Sequence, residues 1–345
     1  MSAVMDDTLA PRPHRAVSWT AARARFEKRP ELFTLCLIVA LGAVVGGLNP
    51  DFFQFSTLFD LARSCTVTGL FALGVYVVLV AGGIDVSFTA IAAFAMYTTT
   101  KLVILAWPAA PVALVFAACA AGGALLGTLN GLLVHALKAP SLIVTIGTQY
   151  LIRGLLLTYV GTVWLEDLPH PMDSFGKLAL VEFQSGRGLH VMLPAFVLIL
   201  LAAAVLTWWI LNRTLMGKAT FAIGGSLAVA ERLGYNLRAV HVFVFAYAGA
   251  LAGVAGMVHV CSNRLANPFD LVGSEIDVIA AVVLGGARIT GGTGTVTGTL
   301  LGVLLVVMIN NLLIMAGVPS TWQRVVVGGF ILVAGSLFVA RRPRA

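Results

Sequence analysis

The sequence predicts an all-α, polytopic membrane protein of about ten transmembrane helices, with both termini in the cytoplasm. Composition is the first reason: 59% of the 345 residues are hydrophobic and only 11% charged, and a mean hydropathy of +0.97 lies far outside the balance of a soluble domain. Apolar stretches of roughly 17 to 25 residues recur along the chain, each long enough to cross a hydrocarbon core as a helix. The basic residues fall at the ends of these runs, so the net charge of +7 reads as a topology signal and no nucleic-acid partner is expected.

The first span, residues 32–48, follows a basic tail (residues 1–31) that carries Arg12, Arg15, Arg23, Arg25, Lys28 and Arg29. The run is longer than a signal-peptide core and no small-residue cleavage site follows it, so it reads as uncleaved. Further spans are 57–81, 86–106, 111–137, 142–163, 191–211, 240–260, 276–285, 295–317 and 321–340, within a transmembrane domain of residues 32–340 closed by a basic end at 341–345. The eighth is too short to cross alone: it either extends through Gly285 and Gly286 or is a broken helix, which is tolerated only where protein or water satisfies the freed backbone. With the amino terminus inside, roughly three times as many bases fall inside as outside, as the positive-inside rule requires. Cys36, Cys65, Cys119 and Cys261 lack metal-type spacing and read as small membrane packers, and no metal site is expected.

Two hydrophilic stretches interrupt the pattern. Residues 164–190 form a periplasmic loop with most of the exterior acids, a surface for a partner. Residues 212–239 form a cytoplasmic loop in which "SLAVAERLGY" reads as a short helix, capped by Ser226 and stopped by Gly234.

Enzyme signatures are absent. "TLMGKAT" fails the phosphate-loop pattern at Asn212 and Ala219, and "GGTGTVTG" lacks dinucleotide-binding spacing, so its glycines read as helix-packing residues. No catalytic residue is assigned. His135, His241 and His259 are isolated near span ends. The embedded charges Asp60, Arg63, Asp85 and Arg153 carry more information, because a charge at mid-bilayer costs about 2.5 to 3.5 kcal/mol and must face other helices, a partner or a water-filled path. Asp60 and Arg63 are i, i+3 neighbours and read as neutralising each other; Arg153 needs a partner from another span. In "LVAGGIDVSFTA", Gly82 and Gly83 loosen the helix while Asp85, Ser87 and Thr89 supply a carboxylate and hydroxyls. Two readings stay open: a broken helix that hydrogen-bonds a neutral polyol, or a turn at the cytoplasmic boundary with Asp85 in water.

At "LVAGGIDVS", "LNGLLVHALKAPSLIVTIGT" with "IRG", "GGSLAVAERLGYNLRAVHVFVFAYAGALAGVAG" and "DVIAAVVLGGARITGGTGTVTGTLLGVLLVVMINNLLIMAGVPSTWQRVVVGGFILVAG", the chain resembles the membrane permease of bacterial sugar ABC importers of the ribose, xylose and galactose type. The resemblance runs from about residue 57 to the end, except the 164–190 loop. It implies an inner-membrane permease paired with a second copy or homologue, two cytoplasmic ATPases that bind the ATP and Mg, and a periplasmic solute-binding protein; the chain itself holds no cofactor. Asp85, Ser87, Phe88, Thr89, Asn130, Arg153, Asn310 and Asn311 are the residues expected along the substrate path and Gly82, Gly83, Gly285 and Gly286 the expected helix breaks, while the resemblance implies ATPase coupling through Ser226, Ala228, Glu231, Arg232 and Leu233. The family usually continues "GGIDLS" with small residues, whereas Phe88 follows Ser87 here; its ring narrows the path or stacks on a sugar face. A stand-alone secondary transporter or channel for a small polar solute is the alternative, and a membrane-embedded enzyme a third.

Overall fold

The computed structural model describes residues 30–48, 50–184 and 190–315, with a few isolated positions beyond. Most of the basic tail, nearly all of the tenth span and the basic end lie outside the described residues. Helix α1 spans Pro30–Leu48, α2 Phe55–Val80, α3 Phe88–Ala106, α4 Val112–Leu137 and α5 Ser141–Leu155, which continues as a π turn over Leu156–Val160. After α6 (His170–Lys177) comes a hairpin of β1 (Ala179–Gln184) and β2 (His190–Pro194), then α7 (Val197–Arg213), α8 (Leu215–Gly225), α9 (Leu227–Arg232), α10 (Leu237–Asn263), α11 (Glu275–Leu284) and α12 (Val296–Met315). Five helices among the described residues are long and apolar enough to cross a membrane, and six with the bent α7–α8 pair. "Inner" and "outer" below denote the ends that the basic residues assign to the cytoplasm and the exterior.

The helical class holds, with three local differences. The expected sixth span begins at residue 191, but His190–Pro194 pairs with β1 and the helix starts only at Val197. Pro194 explains this, because a proline inside the helix would lose a hydrogen bond and clash with the preceding turn. The loop at 164–190 is built rather than open: α6 packs its Gly176 onto the backbone of Cys261, and Leu165 bridges Ala266. Within 212–239, α8 is not a loop at all. It bends by 75° from α7, is capped by the Thr214 side chain accepting from Gly217 N, and buries Gly217, Ala219, Thr220 and Ile223.

Beside the core, which the buried inner half of α2 dominates, one helix pair meets without bulk between its members. Along α4, Cys119, Gly123, Gly127 and Gly131 face His241, Phe245, Gly249 and Gly253 of α10, one step per four residues. A Cβ on Gly127 would stand 2.1 Å from the Phe245 carbonyl oxygen, so only glycine permits this approach, the usual means of bringing membrane helices together where dispersion drives association. Cys119 Sγ donates to the Gly253 carbonyl at 3.1 Å, which accords with its reading as a packer. At the inner end three backbones converge: Gly82 (φ +80°) and Gly291 (φ +89°) meet Gly224 of α8, and Gly292 N donates to Val80 O at 2.9 Å. The "GGTGTVTG" glycines thus divide. Gly291 and Gly292 form a loop contact, and only Gly298 does the expected helix packing, against the Gly285 carbonyl.

Candidate functional site

Two helices begin inside the protein rather than at its surface. After α2 ends at Val80, Gly82 adopts a left-handed turn and residues 83–86 run without regular secondary structure along the first turns of α5. Ile84 N donates to Ser141 Oγ at 2.8 Å and Val86 N to Thr145 Oγ1 at 3.3 Å, which itself donates to Ile84 O. Polar side chains thereby replace the helical hydrogen bonds that the break removes. Asp85 is buried; its Oδ1 accepts from Ser87 N at 2.7 Å and Ser87 Oγ at 2.6 Å, an Asx turn leading into α3. Asn130 Nδ2 donates to Ser87 Oγ at 2.7 Å. Asn130 lies seven residues before the end of α4, so at the helical rise this cluster sits about 10 Å inside the inner end. The boundary turn with Asp85 in water is therefore overturned: Asp85 is 2% exposed.

The second internal start is α11. Its first residue, Glu275, accepts from Thr89 Oγ1 of α3, from Gln149 Nε2 of α5 at 2.8 Å, and from Gly273 N at 2.9 Å. Helix α3 leaves this point outward, where Tyr97 OH donates to Val163 O at 2.8 Å. Helix α11 leaves it inward, where Thr34 Oγ1 donates to Leu284 O at 2.6 Å, and stops before Gly285 and the left-handed Gly286 (φ +99°). The short eighth span is a broken helix, fed by the segment 264–274 that turns back from the outer end of α10. The two amino-terminal ends face each other, and each partial positive charge favours an acid there.

Beside this junction is a polar cavity of about 480 Å³. Its walls include Arg63, Thr68 and Phe71 of α2, His259 of α10, Ser274 and Asp277 at the start of α11, and Asn310 of α12. Phe71 also packs on Phe88, ring centroids 5.1 Å apart, so the departure after "GGIDVS" stands beneath the cavity. A second cavity of about 390 Å³ between α3 and α4 is walled mostly by apolar residues and gives a polar solute little to bond.

The expected path residues divide accordingly. Asp85, Ser87 and Asn130 form one cluster; Thr89 joins Glu275; Phe88 lies under the cavity and Asn310 lines it. Asn311 lies outside the lining, and Arg153, half-buried on α5, has no hydrogen-bond or ion-pair partner among the described residues. Arg63 does not neutralise Asp60: it donates to Ser262, through Nε to Oγ at 3.2 Å and a terminal nitrogen to the carbonyl at 2.9 Å. The histidines are not isolated either, since His259 Nε2 lies 3.0 Å from Asp270 Oδ2 and the rings of His135 and His241 lie 5.8 Å apart. Sequence reasoning missed Glu275 and Gln149. Ser141, Thr145 and Gln149, at four-residue spacing in an apolar span, were the available signal.

On the inner side, α9 forms as expected. Ser226 Oγ accepts from Val229 N at 3.4 Å; Gly234 (φ +80°) closes the end, with Gly234 N donating to Glu231 O and Tyr235 N to Ala230 O. Ser226, Ala228, Glu231, Arg232 and Leu233 are all exposed, and only Ala230 is buried.

Comparison with known proteins agrees with this architecture. The family profile described as "Branched-chain amino acid transport system / permease component" matches residues 57–335. The ribose import permease protein RbsC of Escherichia coli K12 is 31% identical over 302 residues, 87% of this chain and 91% of that protein. RbsC of Bacillus subtilis 168 is 35% identical over 88% of this chain and 89% of its own length. The autoinducer 2 import system permease protein LsrC of Enterobacter sp. 638 is 33% identical over 88% and 85%. No solved structure gives a significant match. Broken helices around a polar cavity and a profile match over most of the chain lead to one conclusion: the chain belongs to this permease-component family of transport systems, as a multi-pass protein of the bacterial inner membrane.

Proposed function

We propose that the chain is the translocating subunit of an ATP-binding-cassette importer for a sugar or related polyol, working by alternating access. The observation that carries this is the cavity: amide, hydroxyl and imidazole groups of Asn310, Thr68 and His259, with one guanidinium and one carboxylate, suit a neutral solute rich in hydroxyls. The names of the relatives support the same class, being permeases for ribose and autoinducer 2 import. The chain pairs with a second copy or a homologue, two cytoplasmic ATPases bind ATP and Mg, and a periplasmic binding protein delivers the solute. Residues 1–31 and 341–345 lie in the cytoplasm, residues 32–340 form the permease domain, and the 212–239 segment docks on the ATPase through α9.

Reconstitution in liposomes with the candidate ATPase and binding protein, offered panels of pentoses, hexoses and polyols, tests the reading. Uptake that needs every component and ATP is the expected result, and flux through the chain alone would make it a self-sufficient carrier. In the same system Glu231→Lys is expected to abolish uptake while ATP hydrolysis continues, with thermal stability within about 0.5 kcal/mol of the parent because the side chain is exposed. Unchanged uptake would remove the docking role of α9.

A further inference from the structure

We infer that Glu275 is a positioning residue that keeps the inner side of the polar cavity closed, by tying the internal ends of α3 and α11 to α5. Three groups from three segments converge on this one carboxyl: Thr89 Oγ1, Gln149 Nε2 and Gly273 N. It is 8% exposed, so each bond forms away from competing water and is correspondingly costly to lose. The neighbouring residue Ser274 and the next turn, through Asp277, line the cavity, while Thr89 is two residues from Ser87 in the inner cluster. The Glu275 junction therefore stands between the cavity and the Asp85 cluster. A solute leaving inward has to pass where α3 and α11 are joined, while the bonds from Tyr97, midway along α3, to Val163 and from Thr34 to Leu284 at the end of α11 lie away from that point. Parting the junction leaves those bonds in place.

This rests on the cavity being the solute path. The test uses Thr68→Cys, a cavity position, in full-length chain with Cys36, Cys65, Cys119 and Cys261 replaced by alanine, and a membrane-impermeant maleimide applied to right-side-out and inside-out vesicles. With Glu275 intact, labelling is expected from the outer face and to be slow from the inner face. Thr89→Val, which removes one hydrogen bond to the carboxyl, is expected to raise inner-face labelling about tenfold, and Glu275→Ala, which removes three, at least as much, with outer-face labelling retained as the sign of a folded protein. Glu275→Gln keeps a carbonyl oxygen for Thr89 and Gln149 but sets its NH2 against Gly273 N, so it is expected to fall between the parent and Glu275→Ala. Unchanged inner-face labelling in both Glu275→Ala and Thr89→Val would overturn the inference; if Glu275→Ala does not fold, the near-isosteric Thr89→Val decides alone. Failure of the underlying reading looks different: uptake would survive Asn310→Ala at the cavity wall whatever the labelling shows.

Discussion

The α4–α10 pair and the α3–α5–α11 junction lie in the same membrane-embedded body, yet they are built on opposite principles. In the first, glycines bring backbone against backbone at 2.1 to 2.7 Å from any added Cβ, with almost no side chain between. In the second, helices stop short and hydroxyl, amide and carboxyl groups take over the bonds that continuous helix would have made. The contrast teaches where motion is permitted. Close packing of backbone has one arrangement and loses contact with any displacement, whereas a hydrogen-bonded junction can exchange partners, as two-state elements do.

Substitutions in each region sharpen that contrast. The largest effect is expected for Gly127→Val, whose added carbons meet the Phe245 carbonyl; a loss of about 3 kcal/mol is expected, read as a lowered melting temperature of the purified protein in detergent. A melting temperature equal to the parent's would mean that the ladder yields and is not rigid. Next is Asp85→Ala, which strips Ser87 N and Oγ of their acceptor and is expected to cost about 1 to 3 kcal/mol together with most uptake. Asp85→Asn keeps a carbonyl acceptor, so its loss is expected to be smaller, and equal losses would shift the role from acceptor to charge. Ser141→Ala removes the acceptor for Ile84 N and is expected to cost about 1 kcal/mol, measured by the same melting.

The smallest effect lies outside both regions. Lys177 and Arg264 beside Asp173, each at 2.6 Å, hold its carboxyl below the usual carboxylate range. A group whose folded value is depressed contributes stability that is fully present above its unfolded value and is lost as pH falls through the folded one. Asp173→Asn is therefore expected to flatten the acid end of the stability profile slightly and to leave neutral pH nearly unchanged, because the pair is exposed to water and screened. A change at neutral pH as large as that from Ser141→Ala would mean that α6 is held mainly by this pair.

Much of this was legible in the chain. Hydropathy located α2 to α5, α10 and α12 within a few residues, because a lipid solvent forces apolar runs into helices. The cap at Ser226 and the stop at Gly234 were readable because they depend only on neighbours in sequence. The Asp85 environment was not. Sequence places that residue near the inner end of a span, but Gly82 turns the chain back inside, and a left-handed turn redirects everything after it. Residues such as Glu275 and Gln149, 126 positions apart, meet only through the tertiary path, and α8 hid in a hydrophilic segment because three of its four buried residues, Gly217, Ala219 and Thr220, are small. Arg63 was misassigned for a related reason. Spacing along one helix proposes a neighbour, but the actual partner, Ser262, lies across the space between helices.

The meeting of Gly82, Gly224 and Gly291 has a mechanical side. Side chains act as springs: a helix pushed against a leucine or a methionine spends part of the stroke turning rotamers. Where bare backbones touch and Gly292 N is bonded to Val80 O, there is no such slack. Helix α8 hands over at Gly225 to Ser226, the cap of α9, so a load applied to the exposed α9 arrives at the foot of α2 and at the turn before Asp85 almost undiminished. In engineering terms the three glycines are a stiff bearing, and the compliance of the chain must be sought further up, where the bonds are made by side chains.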